Sequence, residues 1–395
     1  MTMQLEDFQF LLTADGRRWL HETAMTTITP ANHLHVASHL RNHITPAQAQ
    51  AVLETTLLRQ RAISKFSRGA FMYFTRPALE QASAEPVSRY RARRFYQAGI
   101  RQIADLGCSI GGDALALADY ADVTGVDWDP VRLAMAQENV AVYGNEERFH
   151  PLQADLQAMS PLPVAGLFFD PARRDEHGRR FFSVHDYQPP LSLIDKWQKV
   201  VPETAVKISP GVDYAELPPH TEVEFISVRG EVKEAVLWYG KLRSGVQRRA
   251  TLLPGEHTLT DQDAKEKIDI TPPKSYLYEP DGAVIRAHLV ETLATRLNAT
   301  KIDDEIAYLT ANAALETPFA RCFAIEAYFP FQLKRLRHYL HEHHIGQVTI
   351  KKRGSPLEPD QLRQQLRLRK TDMAPCTIFL TRVRGEAAVL IGQEM

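Results

Sequence analysis

Apolar and polar positions follow three successive patterns along the chain. Residues 1–95 place apolar side chains at helical spacing, as in the run AQAQAVLETTLLRQRAISKF (47–66), which predicts a helical N-terminal region. Between 101 and 240 the pattern changes to short apolar runs that alternate with helical segments. The runs RQIADLG, DVTGVDW, RFHPLQAD, VAGLFFDPA and TAVKISP predict an α/β fold, a parallel sheet covered by helices on both faces.

Two further runs, EVEFISVRG and EVKEAVLWYG, follow one another with no room for a crossover helix. We expect them to form an antiparallel pair that closes the edge of the sheet. The polar stretch 241–275 predicts a connecting segment that can hold a hairpin. From 276 onward, helical runs accompany the short strands GQVTIKK and CTIFLTRVR, which predicts a small α+β unit.

The sequence therefore divides into a helical N-terminal region (1–95), an α/β domain (96–245) and a small α+β C-terminal domain (274–395). A chain of 395 residues is long for one domain, and its 44% hydrophobic and 24% charged content is ordinary for a globular protein. We expect no membrane span and no secretory signal, because no apolar run is long enough. The widely spaced Cys108, Cys322 and Cys376 argue against a disulfide framework and favour the reducing cytoplasm.

The stretch ADLGCSIGGD (104–113) joins a predicted strand to a predicted helix through a glycine-rich turn. Such a turn lets a ligand approach the backbone. Asp105 precedes the turn, Asp127 ends the second strand, and Asp155 ends the third. At these strand ends Asp127 can hold ribose hydroxyls and Asp155 can accept an adenine amino hydrogen. The alternative is that Asp127 and Asp155 only cap the helices that follow them.

Taken in order, DLGCSIGGD, GVDWDP, QADL and FFDPARR resemble the motifs of class I S-adenosylmethionine-dependent methyltransferases over residues 101–240. The resemblance implies a Rossmann-like, seven-stranded sheet and S-adenosylmethionine as cofactor. The cofactor-binding residues that it implies are Asp105, Gly107, Ser109, Gly111, Asp127, Trp128 and Asp155. Ser109 stands where the family has its middle glycine. A nicotinamide dehydrogenase would instead require G-x-G-x-x-G, which GCSIGG does not provide.

The loop GLFFDPARRDEHGRR (166–180) follows the fourth strand, whose carboxyl end lines the ligand crevice of such a sheet. We predict Asp170 and Pro171 as catalytic residues, with Asp170 facing the transferred group and Pro171 stiffening the turn. Arg173 and Arg174 are the predicted substrate contacts, because guanidinium groups bind phosphate well. The alternative is a solvated basic loop in which Asp170 is only a cap.

The string DPAR resembles two methyltransferase motifs, one of enzymes that methylate exocyclic amino nitrogens and one of enzymes that methylate C5 of uracil. Methylation of C5 needs a nucleophile, usually cysteine, to activate the ring. The segment VKISPGVDY after the fifth strand carries Lys207 and Ser209 but no cysteine. We therefore expect methylation of a nitrogen, with Asp170 orienting the target amino group.

The segment 68–95 mixes aromatic residues with arginines ahead of the first strand. This mixture suits stacking on bases and contact with phosphates, and it also suits a helix that packs on the sheet. In the methyltransferase fold this region often covers the cofactor. Phe71, Gln81 and Ser83 are therefore candidate lid residues.

The C-terminal part is locally basic on a chain whose net charge is only −1. Residues 331–384 carry twelve Lys and Arg against four Asp and Glu, which favours a polyanion as partner. The region 274–384 is similar to the RNA-binding THUMP domain, in a THUMP-like form. That similarity implies RNA contacts at Lys351, Lys352 and Arg353; the alternative is a merely solvated charged surface.

The histidine clusters HLHVASHLRNH (33–43) and HEHH (341–344) lack a third ligand of fixed geometry, so we assign no metal. The function that the sequence favours is methyl transfer from S-adenosylmethionine to a base nitrogen of structured RNA, either tRNA or rRNA. One alternative is methylation of a small molecule or a protein. The other is an RNA-binding protein that keeps the methyltransferase fold without catalysis.

Overall fold

The computed structural model describes residues 3–172, 179, 183–262, 268–369 and 374–395. Helices in this part of the chain are α1 (Leu5–Leu12), α2 (Ala14–Ala24), α3 (His33–Arg41), α4 (Pro46–Ala62), α5 (Arg76–Gln81), α6 (Glu85–Gln97), α7 (Ala114–Leu117), α8 (Pro130–Val142), α9 (Leu193–Gln198), α10 (Gly282–Arg286), α11 (Val290–Arg296), α12 (Leu333–Glu342) and α13 (Pro359–Leu366). None of them is both long and apolar enough to cross a membrane.

Strands in the same residues form two sheets. Those of the first are β1 (Gln102–Leu106), β2 (Asp122–Asp127), β3 (Phe149–Gln153), β4 (Gly166–Phe169), β5 (Thr204–Ile208), β6 (Glu222–Val228), β7 (Glu231–Trp238), β8 (Arg248–Leu253) and β9 (His257–Thr260). Those of the second are β10 (Tyr276–Pro280), β11 (Thr300–Lys301), β12 (Leu309–Ala311), β13 (Ala320–Pro330), β14 (Ile345–Lys352), β15 (Ala374–Val383) and β16 (Glu386–Glu394).

Contacts divide the chain into two compact units. Unit 1 comprises residues 1–221 and 236–244, and unit 2 comprises residues 222–235 and 245–395. The N-terminal region of unit 1 is helical, as its apolar spacing predicts. Its longest helix, α4, begins with a capping box in which Thr45 and Gln48 each accept a hydrogen bond from the other's backbone N–H.

Strands β1 to β5 confirm the parallel sheet expected from the first five apolar runs. β1 pairs in parallel with β2 and β4, while β3 and β5 continue the sheet on either side. The complete strand order is β3-β2-β1-β4-β5-β7-β6-β8-β9. Because all five parallel strands point the same way, their carboxyl ends meet at one edge. The predicted acids therefore gather there.

The expectation that β6 and β7 close the edge of the sheet is wrong. β8 pairs in parallel with β6, and β9 pairs antiparallel with β8, so the sheet has nine strands instead of seven. The hairpin in the polar stretch 241–275 supplies both extra strands. Its polar side chains satisfy carboxylates buried on β6, since Arg249 pairs with Glu222 at 2.9 Å and Thr251 donates to Glu224.

Unit 2 also contains the second sheet, with the strand order β11-β12-β10-β13-β16-β15-β14. The two strands expected here, β14 and β15, are present and run parallel. Five more strands accompany them. Helices α12 and α13 pack on this sheet through an apolar core that includes Leu336, Leu340, Leu362 and Leu366.

Candidate active site at the carboxyl ends of the parallel strands

The glycine loop after β1 depends on left-handed backbone at three positions. Gly107 has φ +80°, Ser109 φ +50° and Gly111 φ +77°. A Cβ on Gly107 would lie 3.3 Å from the backbone oxygen of Asp170, and one on Gly111 would lie 3.2 Å from Ala136 of α8. Both glycines are therefore required by conformation and by close packing. Ser109 adopts the left-handed conformation as well, so the departure from the family motif leaves the turn intact.

The helix that follows this loop is short. α7 spans only Ala114–Leu117, so its dipole is small. A ligand at this edge would therefore contact the backbone of the glycine loop and gain little from the N-terminus of α7.

Asp127 at the end of β2 fastens the glycine loop. Its Oδ2 accepts a hydrogen bond from the Ser109 N–H at 2.9 Å, and its Oδ1 accepts one from the Asp129 N–H at 2.9 Å. Asp129 is the residue that caps α8, through the N–H of Val131 at 2.9 Å. The alternative that Asp127 caps this helix is therefore wrong. Burial raises the pKa of Asp127, although the two N–H donors act in the opposite direction.

Trp128 and Asp155 lie at the ends of neighbouring strands and are exposed. The Trp128 side chain is 68% exposed, beside the buried Asp127. Asp155 accepts a hydrogen bond from the Gln157 N–H at 2.9 Å within a turn after β3. No helix lies between β3 and β4, where every residue is described, so the alternative that Asp155 caps a following helix is wrong. Both side chains remain accessible to a ligand at this edge.

Asp105 is a buried carboxyl group with one unsatisfied oxygen. It is 1% exposed, and its Oδ2 has no hydrogen-bond partner among the described residues. Burial raises the pKa of Asp105 well above its usual value, and the nearby carboxylates of Asp113 and Asp170 raise it further. A cationic ligand group would compensate this arrangement. S-adenosylmethionine carries an ammonium and a sulfonium, so the residues present fit the cofactor that the sequence implies.

A buried ion pair links the N-terminal region to the glycine loop, and sequence reasoning missed it. Arg91 of α6 is 2% exposed and pairs with Asp113, the last loop residue. Ser83 and Ser88 also donate to Asp113, at 3.3 and 2.8 Å. Together with the cation, these donors hold the pKa of Asp113 below its usual value against burial. The signal in the sequence is that Arg91 falls on the apolar face of its helix, four residues after Val87 and four before Phe95.

The candidate lid residues occupy different environments. Ser83 is buried and reaches the glycine loop through Asp113, whereas Phe71 is 65% exposed and Gln81 is also exposed. Between them, the backbone N–H and C=O of Tyr73 bond to the side chain of Asn139 on α8 at 2.7 and 2.8 Å. The Asn139 amide also donates to the Ile110 carbonyl in the loop at 2.9 Å. The segment 68–95 thus packs against the loop.

The end of β4 brings Asp170 next to a lysine of β5. Lys207 is 2% exposed, and its Nζ lies 2.6 Å from Asp170 Oδ2. Asp170 also donates its N–H to the Leu106 carbonyl at 3.3 Å, which holds it beside the glycine loop. A carboxylate fixed by a buried cation is a suitable acceptor for a substrate hydrogen.

The residues after Asp170 are only partly described. Pro171 is buried, and Ala172 exchanges two backbone hydrogen bonds with Gln188. The predicted substrate contacts Arg173 and Arg174 lie outside the described residues. Thus Asp170 and Pro171 can be located in the structure, while the arginines remain a prediction.

None of the three cysteines has the properties of an activated nucleophile. All are free thiols, and burial raises the pKa of Cys108, Cys322 and Cys376. Cys108 follows Gly107 but is only 5% exposed. This supports the expectation that no cysteine activates a substrate ring.

The predicted RNA contacts in unit 2 have partners within the protein. Lys351 pairs with Glu279, and Lys352 pairs with Glu358 at 2.6 Å. Arg353 donates to the Ala307 carbonyl at 3.3 Å and lies over the ring of Tyr308. In the described parts of both units, no group of three or more His, Cys, Asp and Glu could hold a metal ion.

Comparison with family models gives three matches. Residues 100–186 match a family described as RNA cap guanine-N2 methyltransferase, residues 320–394 match one described as THUMP domain-like, and residues 4–62 match a domain of unknown function. The first match contains the glycine loop and Asp170. The second contains helices α12 and α13.

Two relatives, from the CDC 1551 and H37Rv strains of Mycobacterium tuberculosis, are called uncharacterized S-adenosylmethionine-dependent methyltransferases. Each is 38% identical to this chain over 354 residues, which cover 85% of this chain and 93% of the relative. The crystal structure of a methyltransferase candidate from Porphyromonas gingivalis W83 aligns with 100% of both chains. Its TM-score is 0.79 at 23% identity, which shows a common fold.

Proposed function

The chain belongs to the S-adenosylmethionine-dependent methyltransferases, and on that premise we propose that it methylates a base nitrogen of structured RNA. The observation that carries the proposal is the Asp170–Lys207 pair beside the glycine loop, at a site where no thiol is activated. Such a site favours an amine as methyl acceptor over a ring carbon that must first be attacked.

When bound, the cofactor supplies an electrophilic methyl group on a positively charged sulfur. We assign its amino-acid end to the glycine loop and the buried Asp105, and its ribose to Asp127. Trp128 and Asp155 would contact the adenine. These assignments give a cationic ligand a set of buried carboxyl groups, of which Asp105 has an unsatisfied oxygen.

Asp170 has the central part in this proposal. Lys207 engages its Oδ2, and we assign Oδ1 to accept a hydrogen bond from the target amino group. That bond would aim the nitrogen lone pair at the methyl carbon. As the nitrogen–carbon bond forms and the carbon–sulfur bond breaks, the surplus proton leaves the nitrogen through Asp170 or water. Correct orientation of two reactants can remove about 7–11 kcal/mol of the barrier in such a transfer.

Two further observations support RNA as substrate. The matched family models are described as an RNA cap guanine-N2 methyltransferase and as THUMP domain-like. Residues 331–384 carry a surplus of basic side chains. Arg173 and Arg174 would bind the phosphate next to the target base. We assign the protein to the cytoplasm, where tRNA and rRNA occur and free thiols persist.

The experiment is a nucleoside analysis by mass spectrometry of tRNA and rRNA from a strain that lacks the protein. One methylated base should disappear, and the purified enzyme should restore it in that RNA with S-adenosylmethionine. Asp170→Asn should lower turnover about a hundredfold or more while it leaves S-adenosylhomocysteine affinity within about threefold. The control is Asp186→Asn, a change on an exposed turn of the same unit.

Other results would point elsewhere. An unchanged nucleoside profile together with methylation of a protein or small molecule would replace RNA as the substrate class. Binding of RNA and cofactor without any transfer would indicate a non-catalytic RNA-binding protein. A covalent adduct between RNA and a cysteine would contradict direct transfer to nitrogen.

A further inference from the structure

Two groups of cations in unit 2 differ in their partners. The first group, the paired cations, consists of Arg321, Lys352, Arg353 and Arg382. Arg321 lies 3.2 Å from Glu279, Lys352 pairs with Glu358, and Arg382 pairs with Glu305. Arg353 is held by a backbone carbonyl and the ring of Tyr308. A cation with an internal partner must give up that partner before it can neutralise a phosphate.

The second group lies on helices α12 and α13 and on the residues directly after α13, and it has no such constraint. Its members, the helix-face cations, are Lys334, Arg363, Arg367 and Arg369. All are exposed. Within the described residues none of them forms an ion pair with a carboxylate. Their charge is therefore available to an external anion.

These cations share one surface because their two helices pack side by side. Arg337 of α12 donates to the Gln365 carbonyl of α13 at 2.6 Å. His341 Nε2 lies 3.2 Å from the Arg367 carbonyl at the end of α13. Leucines of both helices enter the same core, which leaves the opposite faces to solvent. Among the described residues of these helices, the acids are Glu342 at the end of α12, 3.6 Å from His338, and Glu358 and Asp360 at the start of α13, where Glu358 pairs with Lys352.

We propose that the phosphate backbone of structured RNA docks on the helix-face cations, and that the turn at 351–353 is a scaffold for this surface. The proposal rests on RNA being the substrate, as inferred above. Phosphate contacts supply a large share of the affinity of such interfaces. They need cations that can exchange their hydration water for a phosphate oxygen without breaking an ion pair within the protein. Four exposed cations on, or directly after, two helices that contact each other meet this need.

The test compares two charge-matched variants of the whole protein. In one, each of the helix-face cations is changed to Gln; in the other, each of the paired cations is changed to Gln. Binding of unmodified tRNA is measured by fluorescence anisotropy from 50 to 300 mM salt. Each lost phosphate contact lowers the slope of log affinity against log salt by about 0.7–0.9, so the helix-face variant should lose about 3 in slope and the control less than about 1.

Folding and cofactor binding provide the internal checks. Both variants should keep the thermal unfolding midpoint of the parent within a few degrees and bind S-adenosylhomocysteine normally. An unchanged slope in a folded helix-face variant would overturn the proposed surface, as would a greater loss in the control. If the parent protein binds no RNA but methylates another substrate, the proposed function fails along with the surface.

Discussion

At the scale of single residues, the site brings buried and half-buried charged groups together. Arg91 pairs with Asp113, Lys207 pairs with Asp170, and Asp105 lies near both carboxylates, whose effect the charge of Arg91 only partly offsets. Arg91 stabilises the carboxylate of Asp113, and Lys207 stabilises that of Asp170. The Asp105 carboxyl group still bears the free-energy cost of burial. A positively charged ligand next to it would lower that cost.

Asp105→Asn should therefore stabilise the ligand-free protein at neutral pH. The raised pKa of Asp105 means that the folded state binds more protons than the unfolded state, so stability falls as pH rises above the ordinary aspartate value. The amide cannot ionise and escapes this loss. Urea unfolding should show a gain of about 1 kcal/mol or more at pH 8 that shrinks toward pH 4.

The same substitution should weaken S-adenosylmethionine binding in calorimetry, because the carboxylate that faces the cation is gone. A variant that is less stable than the parent at pH 8 would show that Asp105 has an unrecognised native partner. Equal cofactor affinity would remove Asp105 from the proposed cofactor site.

Lys207→Met tests the positioning of Asp170. Loss of the 2.6 Å contact should let the carboxylate rotate, so kcat should fall by roughly a hundredfold while cofactor affinity changes little. Lys207→Arg should restore part of the rate, since it keeps the charge. The matched control is Lys233→Met, which breaks the Lys233–Glu231 pair, in which the glutamate side chain is 74% exposed. A loss in KM alone, or no rescue by arginine, would argue against this role.

At the scale of secondary structure, the N-terminal helices and the parallel sheet meet at the glycine loop. Asn139 of α8 is fully buried and bonds to Tyr73 and to Ile110 in the loop, while α6 reaches the same loop through Arg91. The loop conformation therefore depends on residues that are far from it in sequence. A methyltransferase sheet without the segment 68–95 would lack these supports.

Asn139→Leu measures how much this support contributes. The change is similar in volume but leaves the Tyr73 and Ile110 backbone groups without partners, which costs about 1–3 kcal/mol for each buried group. The urea midpoint should fall, and S-adenosylhomocysteine affinity should fall with it because the loop loosens. Asn145→Leu serves as control, since the Asn145 side-chain amide donates to the Asp119 carboxylate at 2.8 Å, away from the loop. Normal cofactor affinity in Asn139→Leu would show that the loop holds its shape alone.

The sequence predicts the structure best where a residue's position depends only on its neighbours in the chain. Strands β1 to β5 are short apolar runs, and the acids at their ends follow directly from strand order. Arg91 was missed because its role depends on a partner, Asp113, that only the fold brings near. The pairing of β8 with β6 was not predicted, because the polar residues of β8 look solvated until β6 supplies the carboxylates that they contact.

At the scale of the whole molecule, the chain builds two sheets of different character. The first gathers acids at one edge for a cationic cofactor, and the second supports two helices that expose cations. A chain with a net charge of −1 would in this way carry acids for the cationic cofactor and cations for the RNA proposed above. The C-terminal sheet was harder to predict because β13 has a mixed burial pattern without strict alternation.

The second sheet also sets an order of events during synthesis. β16 lies between β13 and β15, although it is the last of these strands to leave the ribosome. The stretch from the end of β13 to the end of β16 takes about 3–13 s to translate at ordinary speeds. Throughout that interval β13 has one open edge, and its segment AIEAYF can pair with a neighbouring nascent chain. Crowded polysomes would therefore favour aggregation through this strand, and a chaperone that shields it would raise the yield of folded enzyme.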